Sequence, residues 1–106
     1  MIQEYRKASA KKLEIKMDSD GSYFDPTAID FISIWQPDKD ANQREMIEDW
    51  FTEQGYGIDY EIFDTRCWVA IHRLKNEIFE YEDKSRSTAF MKAFMDYIEH
   101  GKYPNQ

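Results

Sequence analysis

Cys67 and His72 are the residues of this chain best suited to nucleophilic or proton-transfer chemistry. A thiol nucleophile needs a base within hydrogen-bonding reach. The two residues lie five positions apart in the run CWVAIHRL, which has the composition and alternation of a β-strand. Side chains an odd number of positions apart on a strand point to opposite faces, so we expect no catalytic dyad. We expect Cys67 to be a small buried residue and His72 to share a face with Trp68.

Metal-binding patterns are weak in this sequence. It has one cysteine and two histidines far apart, with no C-x-x-C and no H-x-x-x-H. The cluster DSDG at 18–21 has the residue types of a calcium loop, in which glycine is sixth. That register places Lys16 first and Thr27 twelfth, where carboxylates are needed, so a polar turn is the better interpretation. We therefore predict no metal, no cofactor and no catalytic residue that can be named.

Carboxylates dominate the charge of the chain. It has 21 acidic and 14 basic side chains and a net charge of −7. Residues 1–16 alone carry +3, so the remainder carries −10. Because phosphate groups are held by lysine and arginine, we expect no direct binding to nucleic acid. The candidate partner-binding surface combines predicted helix carboxylates, predicted strand carboxylates and two ring side chains: Glu45, Glu48, Asp49, Glu53, Asp59, Glu61, Trp68 and His72.

The stretch Gly57–Asp83 predicts the central element of the fold. It contains three apolar, aromatic-rich runs separated by short polar connections, the pattern of a three-stranded antiparallel meander. The middle run is the most apolar and is expected at the centre. The sequence thus predicts an α+β domain: a mostly antiparallel sheet with a central three-stranded meander, flanked by two or three helices.

Helix signals lie on both sides of this meander. Asp40-x-x-Gln43 is a capping-box pattern that predicts a helix start, and Gly55 is placed to end that helix in left-handed geometry. A second helix follows the meander, with Ser85 or Ser87 as its cap.

The first 36 residues are harder to assign. Lys12–Met17 alternates strictly and predicts a half-buried strand. Residues 25–36 fit two structures: Asp25-Pro26 favours a helix start, whereas the isoleucines favour a strand. We favour a short helix and keep the strand as the alternative. We expect one domain, 1–106, with a basic segment 1–11 and a tail 102–106 as its flexible ends.

The run Phe79-Glu-Tyr-Glu-Asp83, followed by the pattern from Ser87-Thr-Ala-Phe-Met to Asp-Tyr-Ile98, resembles small bacteriophage-encoded α/β-sandwich accessory proteins. The likeness is one of patterning and covers residues 40–101. It implies a small, non-enzymatic protein that acts by contact with a host or phage partner.

Three function classes remain open on the sequence. The leading one is a non-catalytic interaction or accessory protein that binds a protein partner. The alternative is an acidic nucleic-acid mimic that inhibits a DNA- or RNA-binding host or defence protein. The third is a small enzyme that uses carboxylates in a cleft. A single cysteine fits the reducing cytoplasm, no apolar run could span a bilayer, and an exposed strand edge would permit homo-oligomers.

Overall fold

The computed structural model describes residues 1–74 and 77–100. The chain divides into two compact units, Met1–Ile47 and Glu48–Gln106. The described residues confirm the predicted α+β class, with three helices and two antiparallel sheets. In chain order the elements are α1 (Ile2–Lys12), β1 (Ser22–Phe24), β2 (Ile32–Ile34), α2 (Ala41–Glu53), β3 (Gly57–Ile62), β4 (Cys67–Arg73), β5 (Glu77–Asp83) and α3 (Arg86–His100).

The second unit is built on the antiparallel sheet β3–β4–β5, which is the predicted meander with its most apolar run in the centre. In the register of the sheet, Ile71 lies between Ile58 and Phe79. Side chains alternate along each strand, so these three point to one side, which we call the inner face. Val69 and Ile71 of β4 are fully buried there.

Helix α3 covers the inner face of β4 and β5, and aromatic rings fill the space between. The ring of Phe51 in α2 meets the rings of Tyr97 and Phe90 in α3 edge-on, with centroids 5.0 and 6.2 Å apart. Tyr97 also meets Phe79 of β5 at 5.8 Å. Edge-to-face pairs of this kind add to the stabilisation from apolar burial. The core of this unit therefore lies between the sheet and its two helices.

Three helix boundaries follow the sequence pattern. The Asp40 carboxylate accepts the N–H groups two and three residues later, at 2.9 and 3.2 Å, and begins α2. Gly55 follows α2 with φ of +91°, and Ser85 accepts the N–H three residues later to begin α3. The capping box itself is half formed. The side chain of Gln43 accepts the N–H of Gln36 at 2.6 Å instead of turning back to Asp40.

A buried carboxylate lies at the hairpin end of the inner face. Glu77 is 2% exposed, and its Oε2 accepts the Tyr56 hydroxyl at 2.9 Å and Arg73 Nη2 at 3.0 Å. The Arg73 guanidinium also lies 4.6 Å from the centroid of the Tyr56 ring. Burial, and then the hydrogen bond to Glu77, raise the pKa of Tyr56, so its hydroxyl stays protonated and donates. The charge of Glu77 is thereby compensated, as a buried carboxylate requires.

The first unit is organised around Trp35, which is fully buried. Its indole Nε1 donates to Ser9 Oγ of α1 at 3.0 Å, and Ser9 Oγ donates to the Tyr5 carbonyl at 2.7 Å. The ring of Tyr23 in β1 packs edge-on against the indole, with centroids 5.6 Å apart. A helix that the sequence analysis did not predict is thus fixed to the β1–β2 hairpin through one tryptophan.

The strand predicted at Lys12–Met17 is wrong. Helix α1 continues through Lys12, and Glu14 takes a left-handed conformation with φ of +58°. The N–H of Glu14 donates to the Lys11 carbonyl, and the N–H of Ile15 to the Ala10 carbonyl, at 3.2 and 2.8 Å. Because these backbone N–H groups close the last turn of the helix, they are not available to pair with a neighbouring strand. The alternating side chains of Lys12–Met17 therefore do not belong to a sheet.

The favoured helix within 25–36 is also wrong, and the strand alternative holds for Ile32–Ile34. These residues pair with Ser22–Phe24 in an antiparallel hairpin. Asp25 does not cap a helix; its Oδ1 accepts the N–H and the hydroxyl of Thr27, at 2.9 and 2.7 Å, inside the connecting loop. An aspartate side chain accepts local backbone N–H groups in a turn as well as at a helix start, so Asp25-Pro26 does not distinguish the two. The β-branched isoleucines favour the strand.

Among the described residues, no helix combines the length and apolarity needed to cross a membrane. The single domain with flexible ends at 1–11 and 102–106 stays a prediction. Residues 102–106 lie outside the described part of the chain, and residues 2–12 form α1 with Tyr5, Ser9 and Ala10 buried.

We predict that Glu77→Gln lowers the free energy of unfolding by about 2 kcal/mol, since it leaves the half-buried Arg73 without its carboxylate. Glu80→Gln, three residues along the same strand and exposed, makes the same chemical change and should cost less than about 0.5 kcal/mol. Urea unfolding of both variants measures the difference, and equal losses would contradict the role of Glu77.

The Arg6–Asp38 pair generates a pH prediction. Burial raises the pKa of Asp38, but the hydrogen bonds from Arg6, at 2.7 and 3.0 Å, together with a backbone hydrogen bond and the nearby positive charges, outweigh it and leave that pKa below its usual value. A lowered folded-state pKa adds stability above the unfolded value of about 4, and this is lost as the pH falls through the folded value. Asp38→Asn should therefore cost about 1 kcal/mol at pH 7 and progressively less towards pH 2. A pH-independent cost in urea unfolding would contradict this.

Candidate functional surfaces

The outer face of the meander carries the predicted strand residues in three cross-strand rows. From β3 through β4 to β5, the rows are Gly57–His72–Ile78, Asp59–Ala70–Glu80 and Glu61–Trp68–Glu82. Carboxylates thus occupy the two edge strands, and the central strand presents Trp68, Ala70 and His72 between them. We call this nine-residue surface the acidic face.

The acidic face is open to solvent at its edges and less accessible along its centre, where Ala70 is buried. Asp59, Glu61, Glu80 and Glu82 are exposed, whereas Trp68 and His72 are half-buried. Helix α3 packs on the inner side of the sheet, where Phe51 and Glu48 of α2 contact Tyr97 and Tyr60. The alternation of side chains that sends the apolar residues inward therefore sends four carboxylates and an indole outward.

His72 has a fixed position on this face. Its ring lies over the backbone of Gly57, where an added Cβ would come within 2.7 Å of the ring Cε1. The His72 Nε2 lies 2.8 Å from Asp59 Oδ2, one row away. Glycine at position 57 leaves the space that the imidazole occupies above the backbone.

Countercharge on the acidic face is limited. Arg66 Nε lies 2.5 Å from Glu82 Oε2, and both side chains are about half exposed. Among the described residues, no ion pair is found for Glu61 or Glu80. The four carboxylates and Arg66 together carry a net formal charge of −3. Such a surface attracts cations and repels phosphate.

The structure divides the eight predicted surface residues into separate groups. Asp59, Glu61, Trp68 and His72 come together on the acidic face. Glu48 is half-buried on the opposite side of the sheet, where its carboxylate accepts the hydroxyl of Tyr60. Asp49 and Glu53, on the same helix, are exposed on the helical layer, and Glu45 is exposed within the first unit.

Nucleophilic chemistry finds no support on this sheet. Cys67 is buried on the inner face, beside Ile62 and Asp83 in the register, while His72 lies on the outer face. The predicted placement of these two side chains on opposite faces of the strand is confirmed. The described part of the chain also contains no group of three or more His, Cys, Asp or Glu residues arranged to hold a metal ion.

A second surface, which sequence reasoning missed, lies on the hairpin of the first unit. Phe24 and Ile32 are cross-strand partners, and the ring of Phe24 stacks on that of Phe31 with centroids 6.0 Å apart. These three side chains are exposed, whereas Tyr23 on the other side of the hairpin is buried. The surface, which we call the apolar patch, consists of Phe24, Ile29, Phe31, Ile32 and Ile34.

The loop that carries the apolar patch is ordered by Asp25. Its carboxylate accepts two hydrogen bonds from Thr27, and its Oδ2 also accepts the hydroxyls of Ser33 at 3.2 Å and Tyr23 at 3.4 Å. The bonds from Thr27, with smaller contributions from Ser33 and Tyr23, lower the pKa of Asp25. Phe31 is held at φ of +59°, a region that a bulky side chain rarely adopts. The signal in the sequence was the unusual apolar content of a loop that follows a proline.

We predict that Gly57→Ala displaces the His72 ring and abolishes its contact with Asp59. The cost in stability should stay below about 1 kcal/mol, because the ring can move outward and alanine suits a strand interior better than glycine. Ring-to-backbone nuclear Overhauser effects between His72 and residue 57 report the ring position. Retention of those effects in the variant would contradict the packing described for this face.

No protein-family model, curated protein or solved structure matches this chain. The resemblance of residues 40–101 to phage-encoded accessory proteins therefore stays a prediction. Function has to be inferred from the exposure, charge and register of the residues themselves.

Proposed function

We propose that this chain is a non-catalytic interaction protein that binds a basic protein surface through the acidic face. The observation that supports this most directly is the cross-strand row Glu61–Trp68–Glu82, which places an indole between two carboxylates on an open sheet face. The proposal names a partner by its chemistry, a surface bearing arginine or lysine.

The row Glu61–Trp68–Glu82 suits a guanidinium group for two reasons. A cation over the face of tryptophan gains roughly 0.5–2 kcal/mol, depending on how far it is desolvated. Directly opposed side chains on neighbouring strands have Cβ atoms about 5 Å apart, so an arginine stacked on Trp68 would lie within reach of Glu61, and of Glu82 where it displaces Arg66. Trp68 is then the anchor of the contact, as tryptophan commonly is in protein interfaces.

The surrounding carboxylates would act mainly on the rate and specificity of association. A single exposed ion pair contributes little, about 0–1 kcal/mol. Several like charges on one face produce a field that speeds encounter with an oppositely charged partner and rejects acidic ones. Binding through the acidic face should accordingly weaken as the salt concentration rises.

One geometric observation favours a second candidate, a nucleic-acid mimic. The carboxylates along β3 and those along β5 form two parallel lines. These lines are two strand spacings apart, about 10 Å, which is comparable with the roughly 12 Å width of the DNA major groove. A partner that binds the two phosphate backbones of a duplex could accept the two lines of carboxylates in their place. Displacement by duplex DNA distinguishes the two candidates, since only a mimic has to occupy the site of the nucleic acid.

We predict that Glu61→Lys/Glu80→Lys weakens binding of an arginine decapeptide more than tenfold. The matched control is Asp49→Lys/Glu53→Lys, which changes the net charge equally on the helical layer and should alter affinity less than about threefold. Titration followed by amide chemical shifts locates the contact, with the largest shifts expected at 59–61, 68–72 and 80–82. Equal losses in both variants would show that bulk charge alone is responsible and would contradict the proposal.

The same two double variants serve as test and control in affinity capture from extracts of the native host. The partner should be recovered with the wild type and the Asp49/Glu53 variant, and lost with the Glu61/Glu80 variant. Release of that partner by excess duplex DNA selects the mimic, and retention selects the interaction protein. A partner recovered equally well with all three proteins would refute both candidates.

A further inference from the structure

The apolar patch in the first unit shares no residue with the acidic face, and the exposure of its side chains needs a separate explanation. Its five side chains lie on the outer side of the hairpin and in the loop, with Ile29 at 97%, Phe24 at 70% and Ile32 at 64% exposure. We propose that this patch is a homodimer interface, in which the β1–β2 hairpin of one copy packs against the same hairpin of a second copy. The inference is independent of the proposed function.

The size of the patch matches what a specific dimer needs. The exposed portions of its five side chains amount to roughly 600 Å², which is at the upper end for an apolar patch on a monomer. Complete burial of this area on both copies sets an upper limit of about 1,200 Å², at the low end of specific interfaces. An interface of this size supports a reversible dimer rather than an obligate one.

The patch is preorganised for contact. The hydrogen bonds to Asp25 fix the loop, and Phe31 is held in its left-handed conformation with its ring stacked on Phe24. A loop that is ordered before association loses less conformational entropy on binding. Bulky residues are kept in such a conformation only where the surrounding structure imposes it, and here the result is an exposed aromatic pair.

Charge favours a second copy as the occupant. The patch contains no charged side chain, so two copies can meet there about a two-fold axis without opposing like charges. The first unit carries nine acidic and seven basic side chains, a net −2 out of the −7 of the whole chain, so contact through it brings little like charge together. An anionic lipid surface suits the patch less well, because the exposed carboxylate of Asp30, next to Ile29, would be brought towards its headgroups.

Sedimentation equilibrium of the full chain between 5 and 500 µM tests the dimer. We expect a monomer–dimer equilibrium with a dissociation constant of about 1–100 µM. The dimer should tighten as salt is raised from 50 to 500 mM, since both copies are acidic and the patch is apolar. This is opposite to the salt response expected of the acidic face. A chain that stays monomeric up to 500 µM at both salt concentrations overturns the proposal.

A matched pair of substitutions locates the interface. Ile32→Thr, at 64% exposure on β2, should raise the dissociation constant about tenfold or more, because each dimer loses two apolar contacts. Ile62→Thr makes the same change at 66% exposure on β3 and should leave the constant unchanged. Ile29→Ser in the loop provides a second variant that leaves both strands intact, and circular dichroism verifies that all three fold.

Two other results would overturn the proposal. Equal weakening by Ile32→Thr and Ile62→Thr would place the interface elsewhere. A monomer that cosediments with phosphatidylcholine vesicles, and loses that binding in Ile29→Ser, would make lipid the occupant of the patch.

Discussion

The two-residue period of β4 is the constraint on which the second unit depends. With neighbours on both sides, this strand has to send Val69 and Ile71 inward to the helices, and the same geometry sends Trp68 and His72 outward. Because the edge strands follow the same register, their carboxylates line up on the outer face. A shift of one residue would bury the carboxylates and expose the aromatic core, so the packing that stabilises the fold also creates the acidic face.

Much of this unit could be predicted because its local signals agree with one another. Alternation, turn residues, the helix end at Gly55 and the cap at Ser85 all indicate the same elements. The register could not be predicted, since it depends on which residues face each other across β4. The pairing of Trp68 with Glu61 and Glu82, and the position of the His72 ring over Gly57, therefore emerge only from the structure.

The first unit was predicted poorly because its local signals conflict. Alternation at Lys12–Met17 looks like a strand, yet the N–H groups of Glu14 and Ile15 complete the end of α1. Asp25-Pro26 looks like a helix start, yet the carboxylate closes a loop. The apolar patch was missed for a related reason: isoleucine and phenylalanine are expected inside, and only the paired geometry of β1 and β2 shows that one side of the hairpin faces solvent.

The proposed function depends on two properties of the acidic face: Trp68 is accessible to solvent, and the electrostatic potential around it is negative. Fluorine NMR of the chain labelled with 5-fluorotryptophan resolves this directly, because Trp35 is a buried internal reference. Cationic and anionic nitroxides of equal size are added in turn, and the broadening of the Trp68 signal is compared. The acidic face predicts strong broadening by the cation, weaker broadening by the anion, and loss of the difference at high salt. A Trp68 signal as protected as that of Trp35, or broadened more by the anion, would contradict it.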